Sequence, residues 1–314
     1  MKKRIVTDMQ LHKHMTVDQL VQCFDASGGF TAKKIAQGVD ILETMVKDTD
    51  CTRMLSFPAC IISTGTRGVI VELMKRKLVD MIITTCGTLD HDLARIWKPY
   101  LHGSFEADDR MLHKKELYRL GNIFIPVKSY GPVLEQHMQP VLKKLYEEKK
   151  QWSTKDLVWA FGKHLKDNTK AQESIVYWSW KQNIPVYIPG PTDGAFGSQL
   201  WLFYQTHRDF IIDMFKDEQD LSDSMFDAKK TGALIVGGGI SKHHTIWWNQ
   251  FKGGLDYAIY LTTAVEYDGS LSGAQTREAI SWGKITQSAD NITIDGDATV
   301  LLPLMIASLL QRIP

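Results

Sequence analysis

The residues of this chain that could do chemistry sit in short runs rich in glycine, threonine, serine and acids. Gly237-Gly238-Gly239 is the clearest of them. Glycines let backbone N–H groups approach a phosphate closely, and a helix starting behind them adds favourable dipole charge. The run is not a GxGxxG fingerprint, so a tight strand-to-helix turn without a ligand explains it equally well. Thr192-Asp193-Gly194 offers a carboxylate for a ribose or an amine, but Asp-Gly is also ordinary turn chemistry. His243 and His244 could supply a base or a hydrogen-bond donor, although a histidine opening a helix is more often a solvated or capping residue. No acid or histidine stands at zinc spacing from them, so no metal site is expected. Asp90, Asp92, Asp193, Glu266 and Asp268 also fall in these runs. Converging, they would suit a cationic substrate; singly, they are solvated loop acids. Ser281-Trp282-Gly283-Lys284, read alone, is a helix end, with Gly283 as C-cap and Lys284 beside the helix dipole.

The elements that must hold these runs alternate along the chain. A first helix, capped by Thr31, carries Ile35, Val39 and Leu42 at helical spacing. Strands are expected at 53–57, 79–84, 122–126, 185–188, 233–236 and 257–261. Helices are expected at 65–77, 90–97, 130–149, 156–165, 172–181, 243–251, 274–282 and 301–310. The run VDMIIT at 79–84 is mostly apolar, as in a strand buried on both faces. Residues 100–120 are polar and aperiodic and read as an excursion from the sheet. This alternation predicts an α/β fold: a Rossmann-like, mostly parallel sheet with helices on both faces, plus an N-terminal helical extension. The expected division is 1–52 for the extension and 53–314 for the α/β domain. Ligands of such sheets bind beyond the carboxyl ends of the strands, where the runs above fall.

Composition narrows the function. Of the 314 residues, 44% are hydrophobic and 23% charged, the balance of a soluble globular protein. Lys and Arg number 37 against 36 Asp and Glu, which gives no electrostatic reason to expect nucleic acid or a membrane surface as partner. No apolar run approaches the roughly 20 residues of a spanning helix. The start, MKKRIVTDMQ, lacks the apolar stretch of a signal peptide. Cys23, Cys51, Cys60 and Cys86 are scattered and read as reduced thiols, so a cytoplasmic protein is expected.

The run GGGISKHHTIWWNQFKGGLDYAIYLTTAVEYDGSLSGAQTREAISWGKI, at 237–285, resembles the signature region of the deoxyhypusine synthase family. So do the stretches at 63–95, 183–200 and 295–304, and four motifs in the same order and spacing make the resemblance specific. It covers most of the chain from about residue 53, and the TLDHD and GSQLWLF stretches look archaeal rather than eukaryotic. The resemblance implies NAD-dependent transfer of the aminobutyl group of spermidine, held as an imine on an enzyme lysine. The acceptor is one lysine of the translation initiation factor five A precursor, and the product is deoxyhypusine. A homotetramer with active sites between paired subunits is implied as well.

By motif match, Lys284 is similar to the imine-forming lysine. At an ordinary pKa near 10.4 only about one lysine in 2,500 is neutral at pH 7, so burial or nearby positive charge must activate it. Trp282 would supply the apolar surface and an oxidised nicotinamide the charge. His243 resembles the histidine that contacts the polyamine and assists proton transfer. Asp268, Ser270 and Glu278 match other substrate-contacting positions. Ser63, Thr85, Gly87, Asp193, Gly238, Thr263, Ala264, Asp297 and Ala298 fall at positions that resemble NAD contacts.

The chain also departs from the eukaryotic pattern. His91 replaces a glutamate base, and a histidine is expected to serve as base near pH 7. Ser198 and Leu271 replace aspartates that grip the polyamine, and Ala59-Cys60 replaces a Ser-Asn pair in the first NAD loop. A buried ammonium left without its carboxylate costs on the order of several kcal/mol, so diamine binding should be weakened or reshaped. Two alternatives follow: a homospermidine synthase with putrescine as acceptor, and a catalytically silent NAD-binding subunit. Lys284, Trp282 and His243 together argue against the silent subunit. Cys60 and Cys86 near the expected NAD loops raise the question of redox sensitivity.

Overall fold

The computed structural model describes residues 4–313. Its principal strands are β1 (Cys51–Phe57), β2 (Met81–Thr84), β3 (Val186–Tyr187), β4 (Lys230–Val236), β5 (Leu255–Thr262) and β6 (Ile285–Asp295). The helices that matter here are α1 (Val17–Ser27), α2 (Phe30–Lys47), α3 (Arg67–Lys75), α4 (Cys86–Trp97), α5 (Gly131–Glu148), α6 (Ile175–Gln182), α7 (Ala195–Tyr204), α8 (Gly239–Phe251), α9 (Thr276–Ser281) and α10 (Ala298–Arg312). The chain divides into two compact units: Met1–Phe57 with Ser222–Pro314, and Pro58–Leu221. The expected extension, 1–52, lies wholly within the first unit.

In the first unit four strands run parallel in the order β6-β5-β4-β1. Successive strand residues point to opposite faces, and the contacts follow that rule. Thr231 on β4 donates its hydroxyl to Asn249 of α8 at 2.6 Å, while a Cβ on its neighbour Gly232 would press on Met45 of α2. On β5, Ile259 faces Gly38 of α2 and Tyr260 lies under Lys242 of α8. On β6, Ile294 faces Gly38 of α2, and Thr293 accepts from the first amide of α9 at 3.1 Å. So α2 covers one face and α8 with α9 the other, as the α/β expectation requires. The apolar residues of β5, from Tyr257 to Leu261, are buried throughout, which two covered faces demand.

The second unit holds the parallel pair β2-β3 and a small antiparallel sheet of Leu101–His102, Leu117–Leu120 and Ile123–Pro126. The strand expected at 122–126 is therefore real but belongs to that antiparallel sheet. The polar 100–120 stretch supplies its partners. One further expectation changes. The helix expected from Thr31 starts at Phe30 behind Gly29, and no side chain caps it. The capping box belongs to α1, where Thr16 and Gln19 bond each other's backbone. Among the described residues, no helix is long and apolar enough to cross a membrane.

Candidate active site

The cavity in the first unit that carries reactive groups has a volume of about 260 Å³ and lies between α8, α9 and β5. Lys284 forms one wall. It reaches that place through a backbone turn. Trp282 caps α9, and Gly283 adopts the left-handed conformation at φ 67°. The Gly283 amide donates to Ile280 O at 3.0 Å and the Lys284 amide to Ala279 O at 2.9 Å. These two bonds make a Schellman turn with Lys284 as its last residue. Lys284 O then accepts from Leu255 at the start of β5 at 3.0 Å. The C-cap reading of the sequence is thus correct, and it fixes the lysine against the sheet.

The lysine is 7% exposed, with its Nζ 5.1 Å from the Trp282 ring centroid and 5.7 Å from that of Trp247. His243 stacks on Trp247 at 5.6 Å, and burial followed by the Lys284 charge lowers its pKa. Glu278 is the one carboxylate of the lining, and Leu271 adds apolar surface. Two lining groups escape sequence reading. Lys242 is 1% exposed and donates to Ala274 O at 2.7 Å. The Tyr260 hydroxyl is buried with no hydrogen-bond partner among the described residues. The alternation of β5 could have placed Tyr260 under α8, but nothing in the sequence marks Lys242 as buried.

Other expected residues of this unit gather at the carboxyl ends of β4, β5 and β6. Gly237 and Gly239 have φ of 69° and 67°, and a Cβ on Gly238 would collide with Ser272. Glycine is needed there for the turn itself. Thr263 and Ala264 follow β5, and the Ala264 amide bonds Thr262 Oγ1 at 3.0 Å. Asp297 caps α10 by accepting from the Thr299 amide at 2.6 Å, and Ala298 opens that helix. Asp268 accepts from the Ser270 amide at 2.6 Å on an exposed turn; neither residue belongs to the cavity lining.

In the second unit, Thr85 and Gly87 follow β2, and Asp193 follows β3. Thr85 Oγ1 accepts from the Ala59 amide at 3.1 Å, and the Ser63 hydroxyl donates to Cys60 O at 2.7 Å. His91 and Ser198 line a cavity of about 500 Å³ with Tyr130 and Gln199. His91 Nδ1 lies 3.0 Å from the Tyr100 hydroxyl. Burial, then the charge of Arg95, pushes His91 down to about 4. It is therefore neutral at pH 7. Asp90 and Asp92 are not free acids. Asp90 accepts from the Ala195 and Phe196 amides and from Tyr130, at 2.6–2.8 Å. Asp92 accepts from Ser174, Ile175 and Val176 at the start of α6 and faces Arg67 of α3. Both are buried structural carboxylates that hold helix starts.

Fold and site define a Rossmann-like α/β protein with a sheltered lysine in a cavity beside the sheet. The chain belongs to the deoxyhypusine synthase family, a family of transferases: the family model described as deoxyhypusine synthase matches residues 19–309. A Picrophilus torridus protein named "Probable deoxyhypusine synthase" is 55% identical over 309 residues, covering 98% of each chain. One of the same name from Thermoplasma acidophilum is 52% identical over 307 residues, covering 98% of this chain and 97% of its own. A solved structure provisionally described as an Entamoeba histolytica deoxyhypusine synthase superposes with a TM-score of 0.66 at 18% identity. It covers 98% of this chain and 97% of its own, a likeness of fold. These matches favour neither homospermidine synthase nor a silent subunit.

Proposed function

We propose that the chain transfers the aminobutyl group of spermidine, through an imine on Lys284, to one lysine of the translation initiation factor five A precursor, with NAD as cofactor. The observation that carries this reading is the lysine held by the Schellman turn between Trp247 and Trp282. The two tryptophans flank the amine, which is itself buried, and a nucleophilic lysine needs such a sheltered setting. Glu278 supplies the cavity's negative charge for a cationic amine, and His243, mostly neutral at pH 7, can take and return a proton at its edge. The glycine-opened start of α8 and the adjoining ends of β5 and β6 fit a dinucleotide. Gly238, Thr263, Ala264, Asp297 and Ala298 are the residues of this unit that would hold it. The chemistry that bound NAD would supply there is reversible hydride transfer.

Cytoplasmic location and a homotetramer with active sites between paired subunits belong to the same reading. The exposed aromatic rim at the cavity mouth, with Trp282 61% exposed, supports the assembly.

The test uses spermidine labelled in its aminobutyl part, NAD, and both the factor precursor and putrescine as acceptors. Label on the precursor lysine is the expected result, and label in homospermidine would overturn the acceptor assignment. Lys284→Ala should abolish transfer while NAD still binds; unchanged turnover would sink the imine mechanism.

A further inference from the structure

The cavity holds two lysines, and the reading above uses only one. Lys242 sits on α8 with its Nζ 4.1 Å from the Tyr260 ring centroid, and donates a hydrogen bond to Ala274 O. Glu278 is near enough to act on its charge, yet no ion pair joins them. The Tyr260 hydroxyl close by has no hydrogen-bond partner among the described residues. A resident ammonium therefore occupies the wall of a cavity with a single carboxylate. A second cation entering that space would meet it at close range in a poorly solvated site, where like charges repel strongly.

We propose that Lys242 is a positioning residue that gives up its proton to solvent when a cationic alkylamine enters the cavity. Its neutral nitrogen and the Tyr260 hydroxyl then receive the incoming ammonium beside Glu278. The proposal deepens the reading above and rests on it for the class of ligand. The groups facing Lys242 permit the exchange. On α8, burial lowers the pKa of His243 and pushes His244 down to about 4, so neither carries the charge near pH 8. On α9, Arg277 is paired with Glu266, which leaves Glu278 as the facing acid. From β5 comes Tyr260, and from the turn before β6 comes Lys284. Burial, opposed by the Glu278 charge, brings Lys242 down to about 8, so its proton is available to leave.

The test is calorimetry of spermidine binding without NAD, so that no chemistry intrudes, in buffers of different ionisation heat. For a group titrating near 8, about 0.9 proton should be released per amine bound at pH 7, about half at pH 8 and about 0.1 at pH 9. Affinity should rise about tenfold from pH 7 to pH 9. Lys242→Met should abolish the release and flatten the profile. Lys242→Arg, which stays charged, should bind at least about tenfold more weakly at pH 9. Thermal unfolding checks that both variants fold, and Lys242→Gln replaces either that does not. Lys284→Gln should keep the release. Unchanged release after loss of Lys242 overturns the proposal, as does absence of spermidine binding by the unaltered protein at every pH. Lys242-dependent release with no aminobutyl transfer would sink the deoxyhypusine reading alone.

Discussion

Lys284 owes its position to backbone geometry two residues long. Gly283 holds φ at 67°, a conformation that an L side chain enters only with strain. Gly283→Ala should therefore destabilise the protein by about 1 kcal/mol. The same change should swing the lysine off its tryptophans and lower kcat, leaving KM for NAD unmoved. Steady-state kinetics alongside thermal unfolding would check both parts. His91 calls for a different measurement. A ring titrating at about 4 does not change charge between pH 5 and 8. The pH–rate profile of His91→Gln should keep the shape of the parent's over that range, whatever happens to its height. A limb near 6.5 that vanishes in the variant would show His91 acting as a base that titrates in that range.

Among the elements, α1, α2 and α10 are tied by one guanidinium. Arg312 of α10 bonds Asp18 of α1, and it reaches Asp40 of α2 at 2.6 Å and Glu43 at 3.2 Å. Burial works against the Asp18 carboxylate, but hydrogen bonds from Arg312 and Ser308 hold it below the usual range. Glu43 is lowered by Lys47 and, beyond opposing burial, by Arg312. Depressed carboxyls lend stability above the ordinary carboxylate range, and that stability is lost as pH falls through 4 and below. Arg312→Leu should cost about 1–3 kcal/mol at pH 7 and less at pH 3, where protonation of its carboxylate partners has begun. Thermal unfolding at both pH values tests this. Strands with apolar runs, such as 79–84, were legible in the sequence, because two covered faces demand such runs. β6 was not. Its middle, Gln287–Asn291 within ITQSADNITID, is polar and half-exposed, as an edge strand of the sheet can be. A register shift between Leu255 and Tyr257 further blurs its period. α1 carries its start signal in Thr16 and Gln19, a capping box at the spacing such boxes require. The lysine site was legible only through resemblance to a family, since the triplet alone reads as a helix end.

At the scale of the whole molecule, the first unit is assembled from both arms of the chain. β1 pairs with β4 in a register that begins Cys51↔Lys230, across 230 − 51 = 179 residues. Contacts so distant in sequence form late and slowly. A chain ending at residue 221 would leave β1 without β4, and sedimentation should show it aggregated where the full chain is soluble. Recovery of a soluble, α/β-rich 1–221 fragment would show that β1 needs no such partner.

The Arg312–Asp18 bond, with the Asp18 amide donating to Gln311 at 2.8 Å, also makes neighbours of the first and last described helices. Opening and closing segments that touch are what a protein engineer looks for in a circular permutant. A short glycine-serine bridge from residue 313 to residue 16, with new termini at the exposed turn 205–209, should leave every strand of the sheet with its neighbours. Such a molecule would begin and end inside what is now its middle. Lys284 would lie about a quarter of the way along it, clear of both new termini, which could then carry fusions that disturb neither helix.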